Sequence, residues 1–231
     1  MKVSLNTKVM NVFCGTNSKI RLNKLFDYML ECSIKQEDIL KEKLKDLNGN
    51  WVIYQWDVDI YDMPDKFDDL TIRSIQTYHT YTRKFYAFRN YDVFRNGELI
   101  VRAKTKWLLV NPEKKLPMRI TDELGKIYGR EDGYEVLEKD VELMDGNYEN
   151  CGEYTVRKTD IDYNFHANNA RYIEWIENYL DDDTIKKVEV VYKKELKLDE
   201  TVEIYKLAEN SNIYFKLISN GVLKTIIKIT K

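Results

Sequence analysis

The densest group of chemically capable side chains in this sequence lies in Asp162–Asn169, DYNFHANN. Asp162, Asn164 and His166 recur at every second position. An extended backbone would project a carboxylate, an amide and an imidazole to one side, with Tyr163 and Phe165 on the other. That set suits hydrolysis: an imidazole exchanges protons near neutral pH, while polar neighbours fix its tautomer and orient a water. A helix is predicted directly afterwards, from about Asn169 to Leu180, with Asn168 or Asn169 as its N-cap. Its first backbone N–H groups would face negative charge developing on a carbonyl oxygen. The other histidine, His79, sits in the strand-like run TYHTYTRKF without an acidic neighbour and carries no such reading. Tyr172, Trp175 and Tyr179 read as core aromatics of the predicted helix.

The chain that must position this group has 231 residues, enough for one large domain or two of roughly 100 each. Its 43% apolar and 33% charged residues, with 9 Gly and 3 Pro, are those of a globular protein. A formal net charge of −2 argues against a general nucleic-acid binder. The three cysteines, Cys14, Cys32 and Cys151, show no metal-ligand spacing and no disulfide framework. No metal is expected. Without an apolar run of ~18–20 residues, no membrane span is expected, and the protein is placed in the cytoplasm.

Asn23–Leu44 reads as a long amphipathic helix, with Leu25, Phe26, Met29, Leu30 and Cys32 on one side. From Trp51 to Val110 the pattern is that of strands, including an Asn96-Gly97 hairpin turn. Residues 111–152 look like a connector with little periodicity apart from EVLEKDVEL. The order then repeats: a short strand, a helix and a second run of strands with a matching Asn220-Gly221 turn. The expectation is an α+β duplication, each half a long helix wrapped by an antiparallel sheet, the two sheets pairing edge to edge. Two unrelated α+β domains are the alternative, and the matched Asn-Gly turns favour duplication. CGTNSKIRLN, which leads into the first helix, lacks the Asp/Asn/His set, so only the second half is expected to be catalytic.

DIDYNFHANNARYIEWIENYL resembles the acyl-acyl carrier protein (acyl-ACP) thioesterases of plants and bacteria, with their D-x-N-x-H-x-N-N signature. The likeness extends through WVIYQWDVDIYDMPDKFDDLTIRS and RNGELIVRAKTKWLLVNPEKKLP and is weakest in the connector. It implies a tandem, or double, hot-dog fold. Residues 1–118 would form an acyl-binding half, 119–150 the connector and 151–231 the catalytic half. It implies catalytic roles for Asp162, Asn164 and His166, and adds Glu195 from the family's Tyr-basic-basic-Glu segment, here YKKEL. Plant members commonly carry a cysteine after that glutamate. Leu196 stands there in this chain, which argues against an acyl-cysteine route and for attack by water.

The implied reaction is hydrolysis of fatty acyl-ACP thioesters, part of fatty acid biosynthesis. No cofactor is expected, since the substrate carries its own phosphopantetheine arm. Phe26, Met29 and Leu30 are candidates for lining the acyl tunnel. Acyl carrier protein is acidic, so Lys193-Lys194, Lys186-Lys187, Arg171 and Lys114-Lys115 are candidates for its docking surface. A hot-dog thioesterase acting on acyl-coenzyme A and a non-catalytic acyl-binding hot-dog protein are the competing readings. The sequence leaves homodimerisation, acyl length and saturation open.

Overall fold

The computed structural model describes residues 2–77, 85–137, 139–180 and 184–231; His79 lies outside them. In chain order the elements are β1 (Lys2–Lys8), α1 (Leu22–Leu44), β2 (Asn50–Ile60), β3 (Asp69–Gln76), β4 (Tyr86–Arg95) and β5 (Glu98–Val110). There follow α2 (Asp122–Tyr128), β6 (Glu149–Thr155), α3 (Asn169–Glu177), β7 (Lys187–Tyr192), β8 (Thr201–Glu209), β9 (Asn212–Ser219) and β10 (Val222–Thr230).

The strands form one ten-stranded sheet in the order β1-β3-β4-β5-β2-β7-β10-β9-β8-β6. The order reads alike from either edge, so β1 to β5 correspond to β6 to β10. At the centre β2 and β7 pair antiparallel, from Gln55 opposite Val191 to Asp59 opposite Lys187. This ladder closes two edges that each half alone would leave open. Lys187 Nζ adds an ion pair across the seam, 3.0 Å from Asp57 Oδ1.

α1 forms because Leu22, Leu25, Phe26, Met29 and Leu40 fall at helical spacing and are buried against the sheet. Full burial of each such side chain contributes about 1.5–3 kcal/mol. Farther along, the same face also buries Ser33 and Gln36, a polar patch in an otherwise apolar stripe. A single core runs through both halves, including Leu25, Trp56 and Tyr91 from the first and Ile173, Phe215 and Leu217 from the second. β9 alternates buried and half-buried residues along its whole length. The hairpin turns are left-handed at both central positions, with φ of 52° and 85° at Asn96-Gly97 and 51° and 70° at Asn220-Gly221. That is the geometry Asn-Gly favours between twisted strands.

The connector holds more order than its sequence suggested. Thr121 Oγ1 accepts from Leu124 N at 3.2 Å and caps α2. The described residues of EVLEKDVEL lie in neither helix nor strand. Its Leu137 and Val141 are buried, Val141 against Val191 and Ile226 of the sheet. Lys139 O accepts from Gln55 Nε2 at 2.9 Å, and Asp140 binds Tyr54 OH and Lys106 Nζ, each at 2.7 Å. α3 stops at Glu177, one turn short of the predicted end. Among the described residues no helix is long and apolar enough to cross a membrane.

Candidate active site

Ile161 and Ala167 pair as an isolated antiparallel bridge, and the residues between them form a tight turn. Asp162 N donates to His166 O at 2.9 Å and Phe165 N to Asp162 O at 3.1 Å. Asp162 Oδ1 accepts from Asn164 N at 2.8 Å, and Phe165 adopts a φ of 64°. The stretch is therefore not the extended segment its alternation suggested. Asp162 bonds the backbone two residues on, a local closure that competes with strand pairing. Tyr163 and Phe165 project into solvent from the tip of the loop.

The turn delivers His166 to Glu195, with Nε2 and Oε1 2.9 Å apart. The imidazole is largely covered and the carboxylate about half exposed, with side-chain exposures of 20% and 46%. Glu195 belongs to the segment leaving β7, whose place is fixed by main-chain bonds on both sides. Ala167 N donates to Leu196 O at 2.8 Å, Leu196 N to Tyr172 OH at 3.0 Å, and Lys224 Nζ to Glu195 O at 3.1 Å. Tyr192 OH in turn donates to Asn169 O at 2.9 Å. Burial pushes the ionisation of Tyr172 and Tyr192 well above the usual phenol range, so both remain neutral anchors. Among the described residues no side-chain hydrogen bond joins Asp162 or Asn164 to His166. Asp162 shapes the loop through its bond to Asn164 N.

Asn168 is the N-cap of α3: its Oδ1 accepts from Ala170 N at 2.8 Å. Asn169 is the first helical residue. The corresponding turn at α1 shows what such N–H groups can hold. There Leu22 N donates to Glu177 Oε1, and Asn23 N lies 3.4 Å from the same oxygen. Burial pushes the Glu177 carboxyl up to about 7 in spite of these two donors. Asn23 Nδ2 donates to Glu174 Oε2 at 2.9 Å, so α3 is clamped to the start of α1.

Of the acyl-lining candidates, Phe26 and Met29 are core residues, with Phe26 5.0 Å from the Trp56 ring, and Leu30 is half-buried. Of the basic candidates, Lys193 and Lys194 are exposed immediately before Glu195. Lys187 is engaged with Asp57 and Arg171 with Glu174. Leu196, where plant members carry cysteine, is fully buried. Sequence reasoning missed the anchoring role of Tyr172, Tyr192 and Lys224, since an aromatic helix face and a strand lysine give no local sign of it.

Fold and side chains together define a double hot-dog protein with a histidine–carboxylate pair at the entrance to its second helix. More specifically, the chain belongs to the acyl-ACP thioesterase family. Residues 4–128 match the Acyl-ACP thioesterase N-terminal domain and residues 145–229 the C-terminal domain. It is 25% identical over 187 residues to oleoyl-acyl carrier protein thioesterase 2, chloroplastic, of Arabidopsis thaliana, covering 73% of this chain and 50% of that one. With the oleoyl-acyl carrier protein thioesterase, chloroplastic, of Coriandrum sativum it shares 22% identity over 178 residues, 69% of this chain and 47% of the relative. The chain spans about half the length of the curated relatives it matches. An acyl-ACP thioesterase structure from Bacteroides thetaiotaomicron superposes with a TM-score of 0.87 at 17% identity, over 99% of this chain and 97% of that one. The 12:0-ACP thioesterase from Umbellularia californica does so at 0.85 and 17%, over 99% and 96%. The likeness to these structures is one of fold.

Proposed function

We propose that the chain hydrolyses fatty acyl-ACP thioesters to free fatty acid and carrier thiol, using water activated in its second half. The observation that carries this reading is the His166 Nε2–Glu195 Oε1 pair, 2.9 Å long and set directly before the N-terminus of α3. Water attacks the thioester carbonyl carbon, and its proton passes to the His166–Glu195 pair. The C–S bond then breaks, and the departing pantetheine thiolate takes up that proton. Asn164 positions the water, and Asp162 holds the turn that carries His166. The Asn169 N–H corresponds to that of Leu22, which holds a carboxylate oxygen in the first half. Asn169 thus supplies a donor for the carbonyl oxygen, with Asn168 capping the turn. Base catalysis of this type contributes roughly 10²–10⁴-fold and an oxyanion donor about 10²–10³-fold.

The acyl chain enters the first half alongside α1, where Leu30 is half-buried. An acidic carrier finds Lys193 and Lys194 beside Glu195. The cytoplasm is its proposed place of action. Thiol release from acyl-ACP tests the reaction: His166→Ala and Asn164→Ala should each abolish most of it, and parental rates in both would overturn the reading. Presenting one acyl group on acyl carrier protein and on coenzyme A tests the carrier, with faster release from acyl carrier protein expected.

A further inference from the structure

α1 spans 23 residues and α3 only 9, and the extra length of α1 roofs a small cavity of about 20 Å³ in the first half, room for a group about the size of one water. Its walls are not those of a plain hydrocarbon tunnel. Arg89, Glu37 and Gln76 share them with Trp51, Trp107 and Tyr128. Arg89 is 5% exposed, and its Nη1 donates to Ser74 Oγ at 2.6 Å and to Gln36 Oε1. A guanidinium has five donors, and no carboxylate pairs with this one among the described residues. A buried cation is costly unless its donors are satisfied, and the nearest counter-charge, Glu37, shares the cavity without bonding it directly. The carboxyl of Glu37 makes no hydrogen bond among the described residues; burial pushes its ionisation up, and the charge of Arg89 across the cavity works against that shift.

The second half shows that the fold does not demand this polarity. Arg89 sits opposite Gln76 across β4 and β3, and the matching cross-strand pair of β9 and β8 is Ile213 with Ala208. The cavity also lies on the path assigned to the acyl chain. Leu30 follows the start of α1 at the same spacing as Glu177 follows the start of α3. Glu37 follows two turns later, roughly 10 Å farther along the helix axis.

The geometry points to a subsite that selects acyl chains bearing a hydroxyl or keto oxygen well away from the thioester, with Arg89 donating to that oxygen and Gln76 and Glu37 completing its hydrogen bonds. This rests on the acyl thioesterase reading and names the substrate class within it. A plain chain would lay methylene groups against the guanidinium and leave its donors unsatisfied, whereas a site built to hydrogen-bond an oxygen rejects the analogue that lacks one.

The test uses the full chain and pantetheine thioesters of equal length, plain, hydroxylated or oxo-substituted at graded positions. The best oxygenated substrate should exceed its plain counterpart in kcat/KM by about 10- to 100-fold, the range that one hydrogen bond to a charged group supplies. Arg89→Leu should collapse that ratio to near one. If circular dichroism shows that variant unfolded, Gln76→Leu provides the same readout. Plain chains equal to or better than every oxygenated partner, or a ratio unaltered by both substitutions, would overturn the assignment. Calorimetric binding of the non-hydrolysable amide analogues separates the two readings. A preference for the oxygenated amides without turnover of any thioester retains the subsite and removes the hydrolase. Turnover without any such preference removes the subsite alone.

Discussion

The chain enters its two hot-dog helices through the same turn and uses it for opposite ends. Gly15 N donates to Lys19 O at 2.9 Å, as Asp162 N does to His166 O. Ser18 and Phe165 both take a φ of 64°, and Cys14–Ile20 and Ile161–Ala167 close equivalent bridges. Asp62 N and Lys194 N both donate at 3.1 Å, to Ile100 O and Lys224 O, which places Met63 where the second half has Glu195. The backbone is thus common property and the chemistry is not. In the first half Lys19 takes the place of His166 and is tied to Asp65 at 2.7 Å. Arg95 joins Asp62 and Asp68 beside it. A lysine paired with carboxylates holds its charge through neutrality, whereas an imidazole can give and take a proton there. The helix starts differ in the same sense: Glu177 fills the N–H pocket of α1, while its counterpart on α1, Leu30, has no side-chain acceptor to offer α3.

The comparison breaks most sharply if the second loop is given the side chains of the first. His166→Lys with Glu195→Met should lower acyl thioester hydrolysis by about 10²–10⁴-fold while the circular dichroism spectrum stays that of the parent. An active double variant would mean that the loops do not differ in the way described. Tyr172→Phe removes the acceptor that holds Leu196 N and so frees the segment bearing Glu195. Loss of one such bond, about 0.5–1.5 kcal/mol, should appear in kcat as a drop of several-fold with KM little altered.

The helix starts are separated by pH. Glu177 keeps its proton to about 7, whereas in the unfolded chain it ionises in the ordinary carboxylate range. The folded state therefore binds the proton more tightly, and this stabilisation is complete below the unfolded pKa and lost as pH rises through about 7. Glu177→Gln imitates the protonated acid, so its Tm relative to the parent should rise between pH 5 and pH 8. Each 1 kcal/mol corresponds to roughly 2–4 °C. A constant difference across that range would show that the carboxyl is already ionised at pH 5. The smallest effect is expected at the first loop. Lys19→Met removes a partly exposed ion pair worth about 0.2–1 kcal/mol, so thermal melts should shift by a few degrees at most with hydrolysis unaltered. Loss of activity there would show that the first loop takes part in the reaction.

Local patterns made much of the fold legible. The apolar stripe of α1 and the two Asn-Gly turns each rest on neighbours a few residues apart, and each appears where the sequence put it. The shape of the Asp162–Asn169 loop was not legible in the same way. Period-two spacing at Asp162, Asn164 and His166 suggested a strand, but the Asp162 side chain captured a nearby N–H and closed a turn instead. Within the connector, α2 was obscured by surrounding glycines and prolines, although Thr121 and the acidic pair after it are ordinary helix-start residues. Arg89 was passed over because KFYAFRNYDVF alternates without saying which face is covered, and both faces of β4 are largely buried.

The sequence by itself determined the duplicated order of elements and the residue types at the second helix start, and through family likeness it singled out Glu195 as a candidate. These follow from short-range spacing and from motifs, which survive in a linear string. Only the tertiary structure decided that His166 meets Glu195, 29 positions away, that Tyr172 and Lys224 hold that segment in place, and that Glu177 occupies the pocket at α1. Each of these is a contact between elements brought together by the sheet order, and its energy depends on desolvation and distance, which no linear pattern records.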